Sequence, residues 1–211
     1  MSEEFKEIRV VLAIDFGTTY SGFAYAHIAS PELIIVKDNW DGVEGHRLKL
    51  PTVIKYKDDS YDSIESWGYN ALSRRPSKKE KARSKSSRPV EWFKFHLSKS
   101  LKEIPFLPDN LNYKKVITDY MKKLCESIKE TLSLTCPKVD LHSNVTIVLT
   151  VPAEFIDNVI TITIMRECAF NAGLLNVKSS NNLRFTTEPE AAAIYCLNSI
   201  VNKQNNLKPG G

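Results

Sequence analysis

Val10-Val11-Leu12-Ala13-Ile14-Asp15-Phe16-Gly17-Thr18-Thr19-Tyr20-Ser21-Gly22-Phe23-Ala24-Tyr25-Ala26 decides how this chain is read. Its five leading apolar residues predict a strand buried on both faces. After Gly17-Thr18-Thr19, Phe23 and Tyr25 alternate with small residues, which predicts a second, antiparallel strand. Gly17 can take positive φ and let successive backbone N–H groups converge. Such a concave run is an anion site, to which the Thr18 and Thr19 hydroxyls add donors. Asp15 then stands where a divalent cation bound to a phosphate needs an oxygen ligand, direct or through water. No Gly-Lys-Ser/Thr follows, so this is not the lysine-bearing phosphate loop. A plain hairpin turn remains the competing reading of the same residues.

Composition sets the frame for that turn. At 211 residues, 42% hydrophobic and 26% charged, the chain has an ordinary globular balance and can bury a core without staples. No run of eighteen apolar residues occurs, so no membrane partner is expected. The polar start Met1-Ser2-Glu3-Glu4 is no secretory signal. Cys125, Cys136, Cys168 and Cys196 are widely spaced, which fits reduced thiols and a cytoplasmic setting. The net charge of +4 is unevenly spread: residues 73–88 hold eight Lys/Arg against Glu80, a local +7 that leaves about −3 elsewhere. That stretch reads as a solvated insertion loop in preference to a nucleic-acid patch, because no aromatic interleaves it.

Further along, Leu33–Val36 predicts a third strand, and Val53–Tyr56 an edge strand after Pro51. Trp67–Leu72 opens a short helix. Lys94 lies among Trp92, Phe93 and Phe95, and its ammonium either snorkels to the surface or points at a phosphate. Val116, Ile117, Tyr120, Leu124, Ile128 and Leu132 recur at helical spacing, predicting a helix from Tyr113 to about Leu134. Ser143–Val151 reads as a central strand. A helix of open N-terminal boundary then ends at Gly173, because Val159–Ile164 has strand-like composition. After a short strand near Leu183–Phe185, Thr187 is the expected N-cap of a helix beginning Glu188-Pro189-Glu190.

Four segments in this order, Ile14–Ser21, residues 90–97, Leu149–Phe155 and Thr187–Ala193, resemble the N-terminal half of the ATPase domain of the seventy-kilodalton heat-shock (DnaK-like) chaperones. A divergent branch with Met165-Arg166-Glu167-Cys168 and Thr187-Glu188-Pro189-Glu190-Ala191-Ala192 is the nearest likeness. The resemblance implies an α/β, actin-like (ribonuclease-H-like) ATPase fold, a mixed sheet flanked by helices, with the first lobe only. It implies a tail at 1–8, a lobe at 9–201 with the basic insertion, and a disordered tail at 202–211. It further implies ATP/ADP and Mg²⁺ as cofactors. Asp15 would hold the metal, Gly17, Thr18, Thr19 and Tyr20 the phosphates, Lys94 the attacking water. Glu188 would lie near metal and nucleophile, and Pro152 would relay nucleotide state to segments that bind unfolded proteins or co-chaperones.

The sequence departs from that pattern in two places. Val159-Ile160-Thr161 stands where the family has an arginine that partners the proline. The second phosphate loop, Asp-x-Gly-Gly-Gly-Thr, and the adenosine motif do not occur in these 211 residues. The expectation is therefore an ATP-binding, chaperone-like ATPase module, weakly active alone. The alternatives are a non-catalytic remnant or scaffold of the same fold and, less well matched, a sugar-kinase-like phosphotransferase.

Overall fold

The computed structural model describes residues 7–72, 88–98 and 103–206, without the side chains of 198–206. Strand β1 (Val10–Phe16) pairs antiparallel with β2 (Tyr20–His27), placing Asp15 opposite Gly22. On its other side β1 runs parallel to β8 (Val145–Val151), and β8 runs parallel to β9 (Leu183–Thr187). A two-residue edge strand β3 (Ile35–Val36) gives the order β3-β2-β1-β8-β9, with β4 (Leu50–Pro51) also on β2. A second sheet of β5 (Val53–Tyr56), β6 (Ile64–Trp67) and β7 (Val90–Glu91) has β5 at its centre. A mixed sheet with helices against it is the architecture that an actin-like first lobe requires.

Four helices complete the described chain: α1 (Gly68–Leu72), α2 (Tyr113–Thr135), α3 (Val159–Asn171) and α4 (Glu188–Asn206). The Asn112 side chain accepts from the Lys114 N–H at 2.8 Å and starts α2. The predicted stripe of α2, joined by Met121 and Cys125, is buried in the same hydrophobic core as Leu12, Ile14, Ile147 and Leu149 of the sheet. In α3 a run of β-branched residues is helical nonetheless. Asn158 caps its start through the Thr161 N–H at 3.1 Å, and Gly173 at φ +82° ends it. Local capping here prevails over weak strand propensity.

Four expectations need correction. Val53–Tyr56 is not an edge strand, since β5 lies between β6 and β7 and Pro51 belongs to the separate strand β4. Strand β1 is not buried on both faces: Val10, Leu12, Ile14 and Phe16 face the core, while Val11 and Ala13 are exposed. Apolar composition shows that a strand can be covered, not that described residues cover it. Trp67 ends β6 and does not open a helix, because Ile54 pairs with it. The boundary drawn at 201 falls inside α4, which continues to Asn206, so residues 202–206 are helical. Of the basic insertion at 73–88, all but Arg88 lies outside the described residues.

An aromatic cluster joins the two sheets. Phe16 lies 6.4 Å from Phe93 and 5.9 Å from Tyr120, and Tyr120 lies 5.5 Å from Trp67 between ring centroids. This locks the end of β1 against the 3-10 turn Phe93–Leu97. Trp92, just before that turn, adopts φ +58°, a conformation that costs a bulky residue on the order of 1 kcal/mol. Burial of Phe93 and Leu97 holds it there and sends Lys94 inward.

Candidate functional site

Three parallel strands end together. Phe16, Val151 and Thr187 close β1, β8 and β9 on one edge of the sheet, and ligands of open α/β sheets bind outside such carboxyl ends. Asp15, Thr150, Pro152 and Glu188 all lie at this edge.

The 16–20 turn is held from below. Thr52 donates its hydroxyl to the Gly17 carbonyl at 2.9 Å and its N–H to the Thr19 carbonyl at 2.8 Å, while Ser21 Oγ lies 2.8 Å from Thr52 Oγ1. Gly17 is not at positive φ, contrary to the sequence expectation. What makes glycine necessary is crowding, since a Cβ there would meet the Tyr20 carbonyl oxygen at 2.3 Å. Among the described residues, no hydrogen bond engages the N–H groups of Gly17, Thr18 and Thr19 or the hydroxyls of Thr18 and Thr19. A tight turn with free donors is an anion cradle. Tyr20, the first residue of β2, is exposed beside it.

Asp15 presents both oxygens. The Thr150 hydroxyl donates to Oδ1 at 3.0 Å while accepting from the Phe16 N–H at 3.3 Å. The Lys49 ammonium meets Oδ2 at 2.5 Å. Neither Thr150 nor Lys49 is singled out by the sequence. Thr150 could have been found as the residue facing opposite Leu149 and Val151 on β8. Lys49 gives no signal beyond being the lone cation between Leu48 and Leu50.

Lys94 is only 1% exposed and does not snorkel. Its ammonium donates to the Phe16 carbonyl oxygen, lies 5.1 Å from the Phe16 ring centroid, and pairs with Glu188 Oε1 at 3.3 Å. Burial pushes its pKa down, while Glu188 and then Asp15 pull it back up. Glu188 opens α4 through a reciprocal cap: Thr187 Oγ1 accepts from the Glu190 N–H at 3.1 Å, and Glu190 Oε2 accepts from the Thr187 N–H at 3.4 Å. The expected cap is therefore present, and it fixes Glu188 over Lys94. Pro152 begins the 3-10 turn Ala153–Phe155. The helix beyond it opens on exposed Val159 and Ile160, with no cation where the resemblance implies one.

The structure thus brings Asp15, Gly17, Thr18, Lys94 and Glu188 together and adds Lys49 and Thr150. Asp15 is a hard oxygen donor that already holds a cation, which fits Mg²⁺, an ion commonly bound by one or two carboxylates together with substrate phosphates. Among the described residues no group of three His, Cys, Asp or Glu could hold a metal unaided. A cleft of about 490 Å³ lies elsewhere, between Trp40, Trp67 and the Lys123–Glu130 face of α2, and shares no residue with this cluster.

No protein-family model matches the chain. It is 31% identical over 205 residues to heat shock 70 kDa protein 12A of Mus musculus, covering 89% of this chain and 28% of that protein. It is 30% identical over 220 residues to heat shock 70 kDa protein 12B of Homo sapiens, covering 96% of this chain and 30% of that protein. The chain therefore spans under a third of the length of the curated relatives it matches. Similar solved structures include a non-polymerising MamK mutant bound to AMPPNP, at 16% identity and TM-score 0.44 over 87% of this chain and 42% of that one.

Proposed function

Because the chain is homologous over most of its own length to heat shock 70 kDa proteins 12A and 12B, we propose that it is an ATP-binding module of the chaperone-type ATPases. The observation that carries this reading is the meeting of Asp15, the 16–20 turn, Lys94 and Glu188 at one sheet edge. The N–H groups and hydroxyls of residues 17–19 receive phosphate oxygens, with Tyr20 beside them. Asp15 would hold Mg²⁺, with Thr150 fixing the carboxylate's inner oxygen. When bound, the ion neutralises charge that builds on the transferred phosphoryl group. Lys94, oriented by Glu188 and the Phe16 carbonyl, places the attacking water, and Glu188, paired with Lys94 and open to solvent, is the carboxylate assigned to take a proton from it. This asks of the protein positioning and charge neutralisation more than covalent chemistry.

A chaperone role, with contacts to unfolded proteins or co-chaperones through Pro152, belongs to the same proposal and is motivated by the heat shock names of the relatives; a cytoplasmic setting rests on the widely spaced cysteines of the sequence. Weak activity of these 211 residues alone is a further part. Thermal unfolding in Mg-ATP, Mg-ADP and Mg-adenosine tests it, because a ligand that binds only the folded state raises Tm with concentration. The expected result is a rise with ATP and ADP that adenosine does not match. Because a millimolar site needs ligand well above its Kd to move Tm, the absence of any rise at tens of millimolar Mg-ATP would overturn the reading in favour of a non-catalytic scaffold.

A further inference from the structure

We infer that Lys49 is a phosphate-binding residue of this site, held in waiting by Asp15 and released to the nucleotide's phosphates when a divalent cation takes its place. The inference rests on the proposed function and assigns a role that its residues leave open.

The geometry is built for it. Asp15 and Gly22 are cross-strand partners in the β1–β2 hairpin. A Cβ on Gly22 would meet the Leu48 carbonyl oxygen at 2.8 Å and Lys49 Cγ at 3.4 Å. The Lys49 stem therefore crosses β2 over the one residue that has no side chain, and reaches the carboxylate on the neighbouring strand. Its backbone is pinned, since the Tyr69 hydroxyl donates to the Lys49 carbonyl at 3.0 Å and Ser21 pairs with Leu50. Only the ammonium end is free to move, and the side chain is 51% exposed.

Charge gives the reason. Asp15, Glu188 and Glu190 bring negative charge to the edge, Glu190 being turned back onto the Thr186 hydroxyl and the Thr187 N–H, while Lys94 and Lys49 bring two positive charges. Lys94 is buried and committed to Glu188 and to the Phe16 carbonyl. Lys49 is thus the ammonium at this edge that can turn to an incoming polyphosphate. A cation that displaces it from Asp15 removes its partner, and the phosphates supply another. Lys49 and the metal compete for one carboxylate oxygen yet both favour the same anion.

Two measurements on the purified chain and its Lys49→Met variant test this, methionine keeping an apolar stem over Gly22. The first is ATP titration at saturating Mg²⁺, where the cation has displaced Lys49 from Asp15, read from amide shifts of residues 15–22 and 48–52. The expected result is at least fivefold weaker binding for Lys49→Met, with Lys49→Arg restoring most of it. The second is Mn²⁺ titration without nucleotide, read from paramagnetic broadening near Asp15. The expected result is at least threefold tighter binding for Lys49→Met, because the competing ammonium is gone. A merely structural lysine would not move the two affinities in opposite directions. If wild type binds ATP and Lys49→Met binds it equally, or if Mn²⁺ affinity is unchanged, the inference is wrong while the proposed function stands. If wild type binds no ATP with or without Mg²⁺, the proposed function fails and takes the phosphate role with it. The Mn²⁺ comparison then still decides whether Lys49 guards Asp15.

Discussion

Lys94 Nζ stands 3.3 Å from Glu188 Oε1, a pair that joins the turn after β7 to the first residue of α4 across 94 residues of chain. One partner is buried and the other is 46% exposed. The pair therefore neutralises a charge inside the protein with a carboxylate still open to solvent.

Replacing Glu188 with Gln leaves Lys94 buried without its counter-ion. The expected loss at pH 7 is roughly 1 kcal/mol, since the half-exposed carboxylate is screened. Lys94 already titrates below its unfolded value, chiefly through burial, so stability rises with pH between the folded and unfolded values. Without Glu188 the folded value falls further and that rise begins earlier. The deficit of Glu188→Gln should therefore shrink as pH increases toward the wild-type folded value. Urea melts from pH 6 upward check this. A deficit that grows with pH would mean that Glu188 does not serve Lys94.

Asp15→Asn separates metal chemistry from stability. It removes the exposed pair with Lys49 and weakens acceptance from Thr150, at a cost of about 1 kcal/mol or less. The expected outcome is a Tm within a few degrees of wild type and ATP binding that Mg²⁺ no longer strengthens. Calorimetric titration with and without Mg²⁺ measures it. Unfolding of the variant would make Asp15 a structural residue.

Gly17→Ala and Gly45→Ala form a matched pair. At Gly17 the new methyl would collide with the Tyr20 carbonyl oxygen, and the turn must open. At Gly45, φ is +75° but nothing lies within 4 Å, so only backbone strain of roughly 1 kcal/mol is added. Gly17→Ala should abolish nucleotide-induced stabilisation, whereas Gly45→Ala should lower Tm slightly and preserve it. Equal behaviour of the two variants would show that the turn's shape is irrelevant to binding.

The Gly17 result shows how far the sequence reaches. The place of Asp15 at the end of β1, the turn after it and the Thr187 cap were legible, because each depends on neighbours within a few residues. The α2 stripe was legible from its period. The reason for Gly17 was not, because the Tyr20 carbonyl approaches through a turn whose dihedrals the sequence leaves open. Lys49 was invisible for a different cause: its partner is 34 residues away, and only the β2–β4 pairing and the bare Gly22 bring them together. Val159–Ile164 stayed ambiguous because its composition favours strand, and the cap at Asn158 decided otherwise.

The last prediction concerns turnover by the 211 residues alone. Asp15, Lys49, Glu188 and Tyr20 are between 37% and 51% exposed, so the described residues wall the edge on one side only. Water at such an edge weakens every charge that should act on the phosphates, whereas excluding it strengthens them. Charge-assisted contacts contribute on the order of 1.5–3 kcal/mol each, against at least about 4 kcal/mol of lost freedom on binding. Two or three contacts then leave between nothing and at most about 5 kcal/mol, where about 4 kcal/mol corresponds to a millimolar Kd. The exposed apolar residues of α4, with Tyr195 72% and Leu197 63% exposed, mark a surface that a covering segment or partner would bury. The chain should therefore bind ATP only in the high-micromolar to millimolar range and release phosphate at a rate close to background. A phosphate-release assay on monomeric protein, with Asp15→Asn as control, checks both halves. Robust release that Asp15→Asn abolishes would refute the open-site argument.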